Sequence, residues 1–398
     1  MENISYQDVQ GAPFKGICMA NVIVEMTKER KVSWKCADLE GVLAGVTPAP
    51  CAPLQGSHAG TCPFHRHTRL RPNRSAAVLL LHRTCYISGR DRKFGKLKYT
   101  RGYLIELMHT DGVFIPNITP VNSPAWNIHP VYSRNIVVSG VTILAPTKSP
   151  NTDGNGINPD SCSQVRIEDC YVVSGDDCVA IKSGWDEYGI AVGMPSEHIV
   201  VRRLTCVSPT SAVIALGSEM SGGIRDVRAE DITAIGTESA VRIKTAVGRG
   251  AHVYARRMRL DGMKRVFWMT GDYKSHPDDG YDKTTVPVVE NISYQDVVGT
   301  GVWKEAARMQ GIQGAPFKGI CMANVTAEMT KERKVSWNCA NVEGVSAGVT
   351  PAPCAPLQGT HAGSCPFPTD TLAVDQIVVQ QCSYSITIPA TTSVAGTE

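Results

Sequence analysis

Short strings in which apolar and polar residues alternate return along this chain at intervals of roughly 25 to 35 residues. They read RNIVVSGVTI, SQVRIEDCYVV, EHIVVRRLTCV, IRDVRAEDITAI, ENISYQDVV and DQIVVQQCSYSI. Alternation with period two marks a strand with one buried face, and no long stretch keeps helical spacing. The interval is too long for a hairpin meander and suits one coil of a solenoid, in which each turn packs only on its neighbours. A length of 398 residues therefore does not require the two or three domains it would suggest by default. An antiparallel sandwich also alternates, but it wants tighter turns at shorter spacing. The pattern favours an all-β chain wound as a right-handed parallel β-helix. Inward Val and Ile would fill the bore, and outward polar residues would line a groove.

Three clusters carry chemistry: Asp153 in SPNTDG, Asp176 and Asp177 in SGDDC, and Arg242 with Lys244 in VRIKT. Taken singly, each has a bland reading. NTDG is a plausible turn, adjacent aspartates after Gly are often a solvated turn or a calcium site, and Arg-x-Lys is often an exposed strand face. Their order and spacing are more specific. Stacked coils would bring Asp153, Asp176 and Asp177 to one sheet face. Cleavage of a glycosidic bond needs one carboxylic acid to protonate the leaving oxygen and a carboxylate to activate water. Arg242 and Lys244, two residues apart on a strand, would point the same way and hold an acidic sugar. Trp126 and His129 in PAWNIHP are further candidates for lining such a groove.

SPNTDG, SGDDC, a GS-containing segment and RIKT, in that order, resemble the polygalacturonase family of pectin hydrolases, glycoside hydrolase family 28. NSPAWNIHPVYSRNIVV, IKSGWDEYGIA and IALGSEMSGGI resemble one plant branch of it, and the likeness runs from Phe94 to Cys382. The resemblance implies hydrolysis of α-1,4-galacturonosyl linkages with inversion, with no cofactor and no metal. It implies Asp176 as general acid, Asp153 and Asp177 as activators of water, and Arg242, Lys244, Tyr273 and His129 on the substrate. It also implies a Cys178–Cys206 disulfide. Two departures stand out. Where many members carry Gly-His-Gly, this chain reads Ser211-Ala212-Val213. Where the family usually reads NTDG-x-x-PDS, this chain reads NTDGNGINPDS, with an extra Asn-Gly. If the extra turn bulges outward after Gly154, Asp153 keeps its place; if it pulls the strand, Asp153 moves.

The chain also contains a near-verbatim duplication. Residues 10–64 copy residues 313–367, and ENISYQDV occurs at 2–9 and 290–297. The chain divides into 1–66 (the copy, lacking the stretch from Val298 to Ile312), a basic linker at 67–93, the pectinase-like β-helix at 94–385, and a tail at 386–398. The family's capping helix and first coils are not visible before Phe94. The arginine-rich linker lacks aromatic interleaving, so nucleic acid is not expected as a partner.

A net charge of +3 gives no general affinity for polyanions, so an acidic pectic polysaccharide would have to be captured by a local groove. Fourteen cysteines, with Asn-x-Ser/Thr sites at Asn3, Asn73, Asn117, Asn291 and Asn324, lean toward an oxidising, secretory history. MENISYQDVQG is no signal peptide, and no apolar run is long enough for a membrane span. The family resemblance places the chain outside the cell, in the wall, as a monomer. Two alternatives stand beside the hydrolase reading. One is a pectate lyase acting with calcium; the other is a catalytically inactive wall-binding paralogue or the non-functional product of a rearranged gene.

Overall fold

The computed structural model describes residues 14–20, 39–44, 78–80, 102–123, 125–145, 155–249, 251–331, 336–359 and 365–377. Strands a coil apart lie side by side in parallel, and three faces result. The first contains Asp111–Pro116, Arg134–Ser139, Ser163–Glu168, Ser196–Arg202 and Ile224–Glu230. The second contains Thr142–Ala145, Tyr171–Ser174, Thr205–Val207 and Ile232–Ile235. The third, here the site sheet, contains Val179–Ile181, Ala212–Leu216, Ser239–Lys244, Arg265–Thr270, Ala307–Gln310 and Trp337–Ala340. From Ala251–Asp261 onward the first two faces merge. That strand pairs with Ile224–Glu230 along one part and with Ile232–Ile235 along another, and Val289–Val302, Phe317–Met329 and Val342–Thr350 continue it.

Parallel strands in one sheet need a crossover, and such crossovers are right-handed in nearly every protein. This chain is accordingly a right-handed parallel β-helix, as its alternation implies. Ile128, Ile136, Ile143, Ile157, Ile167, Ile181 and Ile199 stack in the bore, each essentially sealed from water. Full burial of such a side chain contributes about 1.5–3 kcal/mol.

The corner between the first two faces is made by single residues of positive φ, stacked coil upon coil. They are Asn117, Gly140, Asp169, Arg203, Asp231, Arg257, Asp296, Asn324 and Gly348. Asn, Asp and Gly tolerate this left-handed conformation, whereas other side chains are strained in it. The two arginines at the corner are each tied to the aspartate one coil earlier. Arg203 Nε donates to Asp169 at 2.6 Å, and Arg257 Nε donates to Asp231 at 2.9 Å.

Three disulfides are formed among the described residues: Cys178–Cys206, Cys321–Cys365 and Cys339–Cys354. The first, expected from the family resemblance, starts from the residue that follows Asp177. The buried thiols of Cys162 and Cys170 are pushed up by that burial to about 12 and about 11.

The duplicated segment pairs in one register in both copies. Ile17 faces Gly41 and Cys18 faces Val42, as Ile320 faces Gly344 and Cys321 faces Val345. Within the basic stretch, Val78–Leu80 lies antiparallel to Ile105–Met108. The expectations about a capping helix, the remainder of 1–66 and the tail at 386–398 fall outside the described residues.

The Cys178–Cys206 bond closes a loop of 28 residues next to the acidic pair. Replacing both cysteines by alanine should lower the unfolding free energy by about 2–4 kcal/mol. Denaturant unfolding checks this, with the far-ultraviolet dichroism of the folded state unchanged.

Candidate active site

The outward face of the site sheet is built from two files of residues, each stepping one coil at a time. Pairings along the sheet put Glu106, His129, Asn158, Ala180, Ala215, Arg242, Trp268, Arg308 and Asn338 in one file. Asp160, Lys182, Gly217, Lys244, Thr270 and Gln310 form the next. Between them run the inward residues Ile181, Leu216, Ile243 and Met269, which anchor each strand in the bore. Small residues at Ala180, Ala215 and Gly217 leave the middle of this face low. Charged and aromatic residues stand on either side of it.

Asp176 and Asp177 sit where the chain turns from Tyr171–Ser174 into Val179–Ile181. The turn is fastened locally, for Ser174 Oγ accepts from Asp176 N–H at 3.0 Å. Asp177 is buried, and its carboxylate accepts from three donors. Its Oδ1 accepts from Ser211 Oγ at 2.5 Å and from Ala212 N–H at 3.1 Å. Its Oδ2 accepts from Lys244 Nζ, and its own N–H donates to Asn155 Oδ1 at 3.1 Å. Asp176 retains partial exposure toward the groove.

The two carboxyls are therefore driven apart. Burial and the neighbouring Asp177 charge push Asp176 above the usual carboxylate range. Burial acts on Asp177 too, but the Lys244 charge and hydrogen bond, with the Ser211 hydroxyl, bring it below that range. Burial would likewise lower Lys244, yet the charges of Asp177 and Asp176 keep it raised. One carboxyl is set to hold a proton and its neighbour to lack one, the division that acid and base roles require.

The flanks differ in how their cations are used. Lys182 binds Glu219 at 2.5 Å and lies 4.5 Å above the ring of Trp126. Although burial opposes it, the Lys182 charge holds Glu219 down at about 2. Glu219 is thus neutralised by Lys182. Trp126 stacks on Tyr103 at 4.7 Å, and His129 meets both rings edge-on. His129 Nδ1 lies 3.3 Å from Glu106, and its Nε2 lies 3.7 Å from Asp160, an ion-pair distance longer than a hydrogen bond. Burial would lower His129, but these two carboxylates raise it.

On the other flank the Arg242 guanidinium lies 3.8 Å over Trp268, which Arg265 covers at 4.2 Å. Arg242 is 3.6 Å from Glu238, and its buried Nε has no hydrogen-bond partner. Tyr273 stands 5.9 Å from Arg242, with its backbone N–H on Thr245 O at 3.0 Å.

Of the residues singled out from sequence, Asp176, Asp177, Arg242, Lys244 and Tyr273 meet around one spot. His129 lies farther up the same file. Asp153 lies outside the described residues. Sequence reasoning missed Lys182, Asn158, Trp268 and the carboxylate-binding role of Ser211. A signal for Lys182 and Trp268 exists in the short strings VAIK and RVFWMT, where each stands beside apolar residues that enter the bore.

The model of "Glycosyl hydrolases family 28" matches residues 90–354. A "Probable polygalacturonase" of Vitis vinifera is 60% identical over 299 residues, covering 73% of this chain and 60% of that protein. Polygalacturonase-2 of Solanum lycopersicum is 25% identical over 251 residues, covering 61% of this chain and 52% of its own. The chain thus spans between about half and about 60% of the length of these relatives. Among solved structures, a hyperthermoactive exopolygalacturonase from Thermotoga maritima superposes with a TM-score of 0.52 at 29% identity. That match covers 62% of this chain and 56% of the other. A polygalacturonase from Erwinia carotovora gives 0.53 at 21% identity, covering 64% and 62%, a likeness of fold.

The opposed displacement of the two carboxyls rests on Lys244. In Lys244→Met, the Asp177 titration should move upward by about one pH unit or more. Carbon NMR of aspartate-labelled protein reads that midpoint directly, and an unmoved Asp177 would contradict this assignment of the charge.

Proposed function

The chain belongs to glycosyl hydrolases family 28, and from that membership and the site's geometry we propose that it hydrolyses α-1,4-galacturonosyl linkages of pectin. The observation that carries this reading is the paired Asp176 and Asp177 at the turn entering the site sheet, with Lys244 on the buried Asp177 and Asp176 left partly exposed, one pushed up and one held down.

Asp176 delivers its proton to the glycosidic oxygen as the bond from that oxygen to the anomeric carbon breaks. Asp177 accepts a proton from the water that attacks the same carbon from the opposite side. The new hydroxyl then carries inverted configuration. Ser211 and the Ala212 N–H fix the orientation of the Asp177 carboxylate, and Lys244 keeps it ionised. Once Asp177 takes up the water proton, its ion pair with Lys244 weakens, which frees that cation for the product.

Capture of the uronate chain falls first to Arg242. Lys244 and Lys182 are engaged at hydrogen-bond distance by Asp177 and Glu219, whereas the carboxylate nearest Arg242, Glu238, lies 3.6 Å away. A guanidinium stacked on Trp268 presents its edge to a carboxylate in the bidentate geometry that a lysine lacks. Tyr273 bounds the site beside it. Trp126, with Tyr103 and His129, offers an aromatic wall for a sugar face farther along.

The likeness to plant polygalacturonases supports a role in wall pectin metabolism outside the cell. Among the described residues, no helix is long and apolar enough to cross a membrane. The alternative of an inactive wall-binding chain draws no support from the relatives, and a lyase would not need the acid that Asp176 supplies.

Because a general acid contributes about 10²–10⁴ in rate, Asp176→Asn should reduce reducing-end release from polygalacturonic acid by at least about a hundredfold. Its thermal unfolding should stay near that of the parent chain. Turnover at the parent rate would rule out Asp176 as the acid. The rate of the parent chain should fall on the acid side as Asp177 gains a proton and on the alkaline side as Asp176 loses one.

A further inference from the structure

The segment NTDGNGINPDS contains two Asx-Gly dipeptides in succession, Asp153-Gly154 and Asn155-Gly156. A single register joins this segment to the next coil, so one Asx residue alone can occupy the place beside Asp177. The backbone identifies it. Gly156 N–H donates to Asp177 O at 2.9 Å, Ile157 N–H donates to Cys178 O at 3.0 Å, and Ile157 bridges Ile128 and Val179 from within the bore.

Gly156 cannot be exchanged for its neighbours by a slip of the chain. A Cβ at that position would stand 2.2 Å from Cys178 O and 2.9 Å from Val172 Cγ1, so only glycine is admitted. A slip of one residue would also turn Ile157 out of the bore. The residue that precedes this locked glycine is Asn155. It is 4% exposed, its carbonyl accepts from Asn127 N–H and Nδ2, each at 2.9 Å, and its Oδ1 accepts the Asp177 N–H at 3.1 Å.

We propose that Asn155 is the residue that faces the acidic pair from the preceding coil, in the place the sequence reading gave to Asp153. It acts as a positioning residue, and the reaction runs on two carboxylates, Asp176 and Asp177. This rests on the hydrolase reading above. An amide oxygen fixes the Asp177 backbone as a carboxylate would, but it neither takes up a proton nor repels its neighbours. Activation of water falls to Asp177 alone. The proton on Asp176 is held by burial and by one adjacent anion, Asp177, against the Lys244 and Lys182 charges and the Ser211 hydroxyl, so the alkaline limb of the rate profile lies lower than a further carboxylate would set it.

Two variants restore a carboxylate to this place by independent routes. Asn155→Asp changes the side chain in position. Deletion of Gly154 and Asn155 joins Asp153 directly to Gly156 and carries Asp153 into the register. Both should raise the alkaline limb of kcat/KM on polygalacturonic acid by about one pH unit, whereas Asp153→Asn should leave limb and rate within about twofold. The Asp176 midpoint, followed by carboxyl-carbon NMR and assigned through Asp176→Asn, should shift in the same direction in both restored variants. That reading needs no turnover. A chain inactive in every form would defeat the hydrolase reading, while the titration would still decide the role of Asn155. A hundredfold loss of rate in Asp153→Asn, or an Asp176 midpoint that moves with Asp153 and not with Asn155, would overturn the proposal. If Asn155→Asp does not fold, the deletion variant carries the same comparison.

Discussion

Everything at the site depends on parallel backbone pairing between coils, because the acidic pair at Asp176 and Asp177, Ser211 beside it, and the cations Arg242 and Lys244 come from segments far apart in sequence. Asp177 is tied to Asn155 one coil back, to Ser211 one coil on, and to Lys244 two coils on. Each tie is a single hydrogen bond or ion pair, too weak alone to bring these segments together. The sheet register does that work, and the register is set by apolar residues locked in the bore. Ile157, Val179, Ile214 and Val241 stand in one inward column. The polar residues between and beyond them on the same strands are carried into place by that column.

The second consequence is electrostatic. Burying a carboxylate without a partner is costly, and the coil geometry supplies Asp177 with an ammonium, a hydroxyl and a backbone N–H. Asp176, one residue earlier, accepts the Asp177 N–H at 2.9 Å and is helped by Ser211 and the lysine charges, but burial and the Asp177 charge outweigh them. Adjacent identical residues thereby become chemically unlike through their neighbours alone. The same logic separates the cations. Lys182 and Lys244 are engaged by acidic partners at hydrogen-bond distance, whereas Arg242, supported on Trp268, has its nearest carboxylate 3.6 Å away.

The fold was legible in the sequence, and much of the site with it. Alternating strings such as RNIVVSGVTI span the first strand of a corner, Arg134–Ser139, and the start of the second, Thr142–Ala145, with Gly140 at the turn between them. The acidic pair and Arg242-x-Lys244 were found because their neighbours are regular. What escaped depends on the variable loops between coils. The helix Asp186–Val192 and the loop at 271–288 alter the spacing, so counting residues does not show that Lys182 lies one file from Arg242 or that Trp268 supports it. The double Asx-Gly was recognised as a departure. Its outcome required knowing which glycine is squeezed against Cys178, a contact between coils that no local pattern records.

The central claim is that the turn entering the site sheet carries an acid and a base, Asp176 and Asp177, that hydrolyse a galacturonosyl bond with inversion. Proton NMR of the first product released from an oligogalacturonate, taken before mutarotation, tests it most directly. The account predicts the β-anomer at the new reducing end, appearing ahead of the α-anomer. An α-anomer formed first would contradict the division of roles between Asp176 and Asp177, and an unsaturated product would show that elimination, not hydrolysis, takes place.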